Sequence, residues 1–230
     1  MGKKGKNILK AYESVDGTKE YTLTEGIALL KKVSYAMFDE TVDIVVRLGV
    51  DPRHADQNIR GAVTMPAGLG KTVRVMAFCQ GENEKLAKDA GADFAGGQEF
   101  VKKIKDGWME FDVVVATPDM MRFVGQIGRV LGPRGMMPNP KTGTVTKNIV
   151  AAIKEMKAGK VQFRVDKKGN LHAAVGKASF SVENLKLNID ALLDSLNKLK
   201  PSSAKGTYMK KIVISSTMGP AINIETASLT

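Results

Sequence analysis

Two short, largely apolar runs constrain this chain most: VRVMAFC (73–79) and FDVVVAT (111–117). Neither alternates polar with apolar residues, so neither can lay one face on water. Both must be covered on two sides, as strands of a parallel sheet are. Segments with helical character separate and follow them. ENEKLAKDAGA (82–92) ends in Gly91, QEFVKKIKDG ends at Gly107, PDMMRFVGQIGRVLG opens with Pro118, and VTKNIVAAIKEMKAG closes at Gly159. Buried strands alternating with helices predict βαβ units, hence a Rossmann-like, three-layer α/β fold for this region.

The flanking regions have another texture. TEGIALLKKV (24–33) reads as a helix capped at Thr24, and VDIVVRLGV (42–50) as a strand ending at the turn Asp51-Pro52. The first twenty residues, with Lys3, Lys4, Lys6 and Lys10, fit either a short helix or a flexible arm. Beyond Gly159, VQFRVD and NLHAAV read as a hairpin about Lys167-Lys168-Gly169. VENLKLNIDALLDSLNKLK is an amphipathic helix with Leu185, Ile189, Leu192, Leu193 and Leu196 on one face, and KKIVISST (210–217) is a last strand. Three C-terminal strands covered by one helix need a companion, and 42–50 supplies it. The expected organisation is an α/β protein of two domains. Residues 1–67 and 160–230 form a discontinuous two-layer α+β sandwich with an RRM-like sheet, and residues 68–159 are inserted into it. A single continuous α/β domain is the alternative. Glycines near both crossings, at 66–70 and at 159, permit a hinge.

A net charge of +11 and a pI near 9.6 favour a polyanionic partner, nucleic acid or an anionic membrane. No apolar run is long enough for a transmembrane helix, and the basic start lacks the apolar segment of a secretory signal. Cys79 is the only cysteine, so no disulfide forms within the chain, as suits a reducing cytoplasm. One cysteine and two histidines cannot build a zinc cluster. Gly68-Leu69-Gly70-Lys71-Thr72 looks like part of a phosphate-binding loop, but Met65 stands where that motif needs glycine, and a strand follows instead of a helix. The first strand of the central region runs into CQGEN without the spaced glycines of a dinucleotide site. Asp51, His54 and Asp56 lie close enough to be metal ligands or an acid/base pair, and more simply form a polar turn. No catalytic set emerges, and no cofactor or metal is expected.

The stretch 127–144, IGRVLGPRGMMPNPKTGT, holds four glycines, three prolines, Arg129, Arg134 and Lys141, and no acid or aromatic. Proline removes a backbone donor and fixes φ, so after Gly132 this is an exposed loop on a defined path. A basic, shaped loop suits a polyanion. Arg164, Lys167, Lys168 and Lys177, with Ser179 close by, decorate the C-terminal hairpin as groups fit for phosphate and ribose hydroxyls. Phe38, just before a strand, is either core or an exposed ring for base stacking. His172 touches RNA or packs. Asp39 and Glu40 can accept from base amino or 2′-hydroxyl groups, or orient nearby lysines.

LGPRGMMPNPKTGTV closely resembles the signature of the family of ribosomal large-subunit protein number one. FDETVDIVVRLGVDPRHADQNIRGAV, GADFAGG, VVVATPDMM, KKGNLHAAVGKASF and SSTMGP resemble that family's other blocks, in its order and over nearly the whole chain. The resemblance implies a cytoplasmic, non-enzymatic component of the large ribosomal subunit, monomeric when free. It would bind a junction of the large-subunit ribosomal RNA and form the mobile stalk. There it would assist release of deacylated tRNA from the exit site, and it would repress translation by binding its own mRNA. The RNA contacts the family implies fall on Phe38, Glu40, Thr41, Arg53, Asp166, Lys167, Lys168, His172, Ser179, Thr217, Met218 and Gly219. Arg129, Arg134 and Lys141 are second-domain candidates. Family members often carry lysine where Met37 stands and histidine where Ala67 stands. From other classes, a nucleotide-binding cytoplasmic enzyme and a DNA-binding repressor are the alternatives.

Overall fold

The computed structural model describes residues 5–226. In chain order the elements begin with α1 (Lys6–Glu13), α2 (Leu23–Val33), β1 (Thr41–Leu48) and β2 (Arg60–Thr64). There follow β3 (Val75–Phe78), α3 (Glu82–Asp89), β4 (Phe94–Gly96), α4 (Gln98–Lys105) and β5 (Val113–Ala116). Then come α5 (Met121–Val124), α6 (Gly128–Leu131) and α7 (Ile149–Lys157). The chain finishes with β6 (Lys160–Arg164), β7 (Asn170–Lys177), α8 (Val182–Lys198), β8 (Met209–Ser216) and β9 (Ile222–Ile224). The chain divides into two compact units, one of residues 1–70 with 161–230 and one of residues 71–160.

In the discontinuous unit an antiparallel sheet runs β7-β1-β8-β9, so the N-terminal strand lies between two C-terminal ones. Along β1, Val42, Ile44, Val46 and Leu48 are buried while Thr41, Asp43, Val45 and Arg47 point the other way, as period-two geometry requires. Helices α2 and α8 cover the apolar face, α8 through Leu185, Asn188, Ile189, Leu192, Leu193 and Leu196. Truncating a fully buried leucine here, such as Leu192, should cost about 2–5 kcal/mol.

Local chemistry moved several boundaries. The cap of α2 is Thr22, not Thr24: its hydroxyl accepts from Glu25 N while the Glu25 carboxylate accepts from Thr22 N, a reciprocal box that satisfies two otherwise orphaned donors. The N-terminal segment is helical over α1; Lys3 and Lys4 of the basic start lie outside the described residues. The expected hairpin is mostly a turn. Asp166 N and Asn170 O close it at 2.8 Å and Val165 bridges Leu171, but β6 pairs with β2 in a separate two-stranded sheet. Gly169 sits at φ +83°, where a side chain would also press on the Leu48 and Val50 carbonyls. Three strands, β2 of five residues and β4 and β9 of three each, were not read in the sequence.

The inserted unit has a parallel sheet in the order β4-β3-β5. One face is covered by α3 and α7 through Ala87, Ile149, Ala152, Ile153 and Met156. The opposite face carries Val101, Ile104, Met120, Val124, Ile127 and Leu131. Two cores on one sheet make the three layers that its wholly apolar strands demanded. The single helix expected over 118–132 is instead a 3-10 turn at Pro118–Met120 leading into α5, and a second 3-10 turn at Gly125–Ile127 separating α5 from α6. Gly125 and Gly128 lower its helical propensity, yet the buried stripe survives.

Candidate nucleic-acid interface

Glu40 organises one end of the antiparallel sheet. It is 1% exposed. One carboxylate oxygen accepts from Tyr35 N (3.2 Å) and Ala36 N (2.9 Å), the other from Met218 N (3.0 Å). Tyr35 Oη donates to Met218 O at 3.0 Å. Burial pushes the Glu40 carboxyl upward, but the donors around it hold it below the usual carboxylate range. The Ser216 hydroxyl beside it lacks sound hydrogen-bond geometry, so the three backbone N–H groups carry that effect. The Glu40 side chain thus offers almost no surface, and in the structure it locks two loops together.

What those loops present is apolar and exposed. Met37 is fully exposed, Phe38 56% and Met218 47%. The structure thus settles Phe38 as a surface ring. Around it the polar groups are paired with one another. Thr217 Oγ1 accepts from Thr41 N at 2.9 Å and donates to Thr41 O. Lys177 Nζ donates to Thr41 Oγ1 (3.0 Å) and Asp39 O (3.2 Å). Asp39 in turn accepts from Ser179 N and Ser179 Oγ, so it orients this corner. Two of the three lysine donors are engaged, leaving one for a ligand. Gly219 packs on the Ser216 side chain, where any Cβ would collide. Phe38, Thr41, Lys177, Ser179, Thr217, Met218 and Gly219 thus form one preorganised cluster.

The remaining candidates do not join it. Strand β1 spans eight residues, about 23 Å at 3.3 Å per step. The turn at 166–169 lies at its other end, where Leu48 N donates to Gly169 O. There the Asp166 carboxylate accepts from Asn170 N and Lys168 N, both at 2.8 Å. Those bonds, Asn170 foremost, hold its carboxyl below the usual range. Asp166 is thus a turn former that leaves Lys167 and Lys168 exposed. Arg53 lies in the exposed turn that follows β1. The 51–56 turn carries no side-chain cap from His54, and no group of metal-ligating side chains forms among the described residues. Arg164 is exposed on β6 beside Arg60.

Between the two ends lies the sheet face away from the helices, and sequence reasoning missed most of it. His172 stands across from Val45, Lys211 and Asn170 flank Arg47, and Ser215 and Ala174 flank Asp43. Arg47, Lys211, Ser215 and Asp43 were findable: Thr41, Asp43, Val45 and Arg47 alternate with fully buried residues. Asp43 is the one acid among these named side chains, and burial pushes its carboxyl up against the pull of His172 and Lys177.

In the inserted unit the proline-rich loop follows a fixed path. Asn139 N donates to Thr144 Oγ1 (2.8 Å), the Thr142 and Thr144 hydroxyls meet at 3.0 Å, and Asn139 Oδ1 accepts from Lys141 N. Val145 then bridges Ala116 in parallel, extending the sheet past β5. Arg129, Arg134 and Lys141 are all exposed.

The chain matches the model of the "Ribosomal protein L1p/L10e family" over residues 30–220. Two relatives, each called "Large ribosomal subunit protein uL1", come from Nitratidesulfovibrio vulgaris strains DP4 and Hildenborough. Each is 59% identical over 225 residues, covering 98% of this chain and 96% of the relative. With its preorganised sheet-end cluster, its signature loop and this extent of likeness, the chain belongs to the ribosomal protein L1p/L10e family.

Proposed function

We propose that this chain is a non-catalytic, cytoplasmic component of the large ribosomal subunit that binds a folded junction of the large-subunit ribosomal RNA through its discontinuous unit. As a mobile stalk it would help deacylated tRNA leave the exit site. It would also bind a similar fold in its own message and repress translation, acting as a monomer when free. The observation that carries the reading is the pairing of exposed Phe38 and Met218 with a buried Glu40 that pins both of their loops. Apolar surfaces held rigidly beside hydroxyls and a lysine suit unstacked bases and ribose. The net charge of +11 supplies general attraction.

The test compares a stalk-junction RNA with an unrelated hairpin of equal length at two salt concentrations. A preference of roughly a thousandfold that survives higher salt supports the proposal. Equal binding that collapses with salt would reduce the interaction to unspecific attraction. Phe38→Ala should weaken junction binding by about 1–3 kcal/mol without moving the melting temperature.

A further inference from the structure

We propose that the inserted unit carries a separate pocket for an unstacked guanine base. A cavity of about 460 Å³ is lined by Phe94, Phe100, Lys103, Asp106 and Trp108, within the roughly 300–1,000 Å³ of small-ligand sites. Only 6% of the chain is aromatic, yet four rings, including the one tryptophan, gather here. Gly107 at φ +101° turns the chain at the end of α4, and Trp108 N donates to Lys103 O. The indole is thereby folded back edge-on to Phe94, with centroids 4.8 Å apart. Phe100 and buried Phe111 each lie 5.5 Å from it. Phe94, Phe100 and Trp108 remain partly exposed, leaving a π surface that the core does not use.

The rim decides the ligand. Lys103 Nζ lies 4.9 Å from the centre of the Phe100 ring. This cation disfavours a quaternary ammonium guest, which would otherwise suit an aromatic cage, and it favours a phosphate next to the base. Asp106 is exposed at the mouth, and its carboxylate has no hydrogen bond or ion pair among the described residues. A carboxylate accepts two N–H groups at once, and guanine offers N1–H and N2–H side by side. Adenine, cytosine and uracil each put an acceptor beside their donor and would be repelled. The pocket lies where β4 begins and just before β5, away from the carboxyl ends of the strands where dinucleotide sites form. It is therefore no relic of a cofactor crevice. It also lies outside the unit to which we assign junction binding, so the two sites can fail separately.

Trp108 is the only tryptophan, so its indole N–H gives one resonance in the nitrogen-15 spectrum of the full chain. That resonance should shift saturably with GMP, with affinity at least about tenfold tighter than for AMP, CMP or UMP. A single-stranded guanine-rich tetranucleotide should bind tighter than GMP if the base arrives within RNA, whereas equal affinity assigns a free nucleotide; either supports the pocket. Asp106→Asn should abolish the preference, Asp106→Glu should keep part of it, and Phe38→Ala should leave it intact. An indole unmoved by about 20 mM GMP, equal shifts with all four nucleotides, a preference that survives Asp106→Asn, or tighter binding of choline would overturn the proposal.

Discussion

Glu40 places a negative charge beneath a surface proposed to receive a polyanion, and three backbone N–H groups make it stable there. Its carboxyl titrates below the ordinary range. A depressed carboxyl adds stability above its unfolded pKa, about 4.3, and that stability is lost as pH falls through the folded value. Glu40→Gln should therefore cost about 1–3 kcal/mol at neutral pH. Its urea unfolding free energy should also fall less steeply than that of the parent between pH 6 and pH 3; parallel curves would mean that Glu40 is not the group responsible. The letter E before a strand reads as a surface acid, and nothing local reveals that two loops, nearly 180 residues apart, fold onto it. Phe38 was ambiguous for the same reason, because its exposure is settled by which side of the Glu40 knot it leaves. Lys167, Lys168 and Arg53 were legible because turns expose what they carry.

At the scale of elements, α8 does more than cover the sheet. Asn188 sits wholly buried within its apolar face. Its side-chain oxygen accepts from Ala67 N (2.9 Å), and its amide donates to Gly68 O (2.9 Å) and Val175 O (2.7 Å). The helix thereby ties down the segment at the first chain crossing. Asn188→Ala strands those three backbone groups and should cost about 1–3 kcal/mol, with faster hydrogen exchange at the Ala67 amide. Exchange unchanged at Ala67 would show that the crossing is held by other means. Position 188 lies at helical spacing from Leu185 and Leu192, so this buried polar residue, not singled out in the sequence, was findable from spacing. The short strands were not: β4 and β9 have three residues each, too few to display a period, and they form because a neighbour offers an unpaired edge. Likewise the break between α5 and α6 follows from Gly125 and Gly128 within a stripe whose periodicity still satisfies the core.

For the whole molecule the consequence is modular. Each unit encloses its own apolar clusters, and the inserted one closes its sheet with its own loop through Val145 and Ala116. A fragment of residues 71–160 should therefore unfold cooperatively on heating and keep the near-ultraviolet dichroism of Trp108. Cations outnumber acids in both units, so the fragment should still attract RNA at low salt. Having neither Phe38 nor Met218, it should show no preference for the stalk junction over a hairpin, and its binding should vanish as salt rises. A fragment that discriminates between the two RNAs would move the recognition surface to the inserted unit, and Asp106→Asn in the fragment would then separate the guanine pocket from the loop bearing Arg129, Arg134 and Lys141. A fragment that fails to fold would show that its two cores depend on the rest of the chain. The two textures were legible because wholly apolar strands and alternating ones need different surroundings. The meeting of the Phe38 and Met218 loops was not, because it depends on a strand order, β7-β1-β8-β9, that no local pattern encodes.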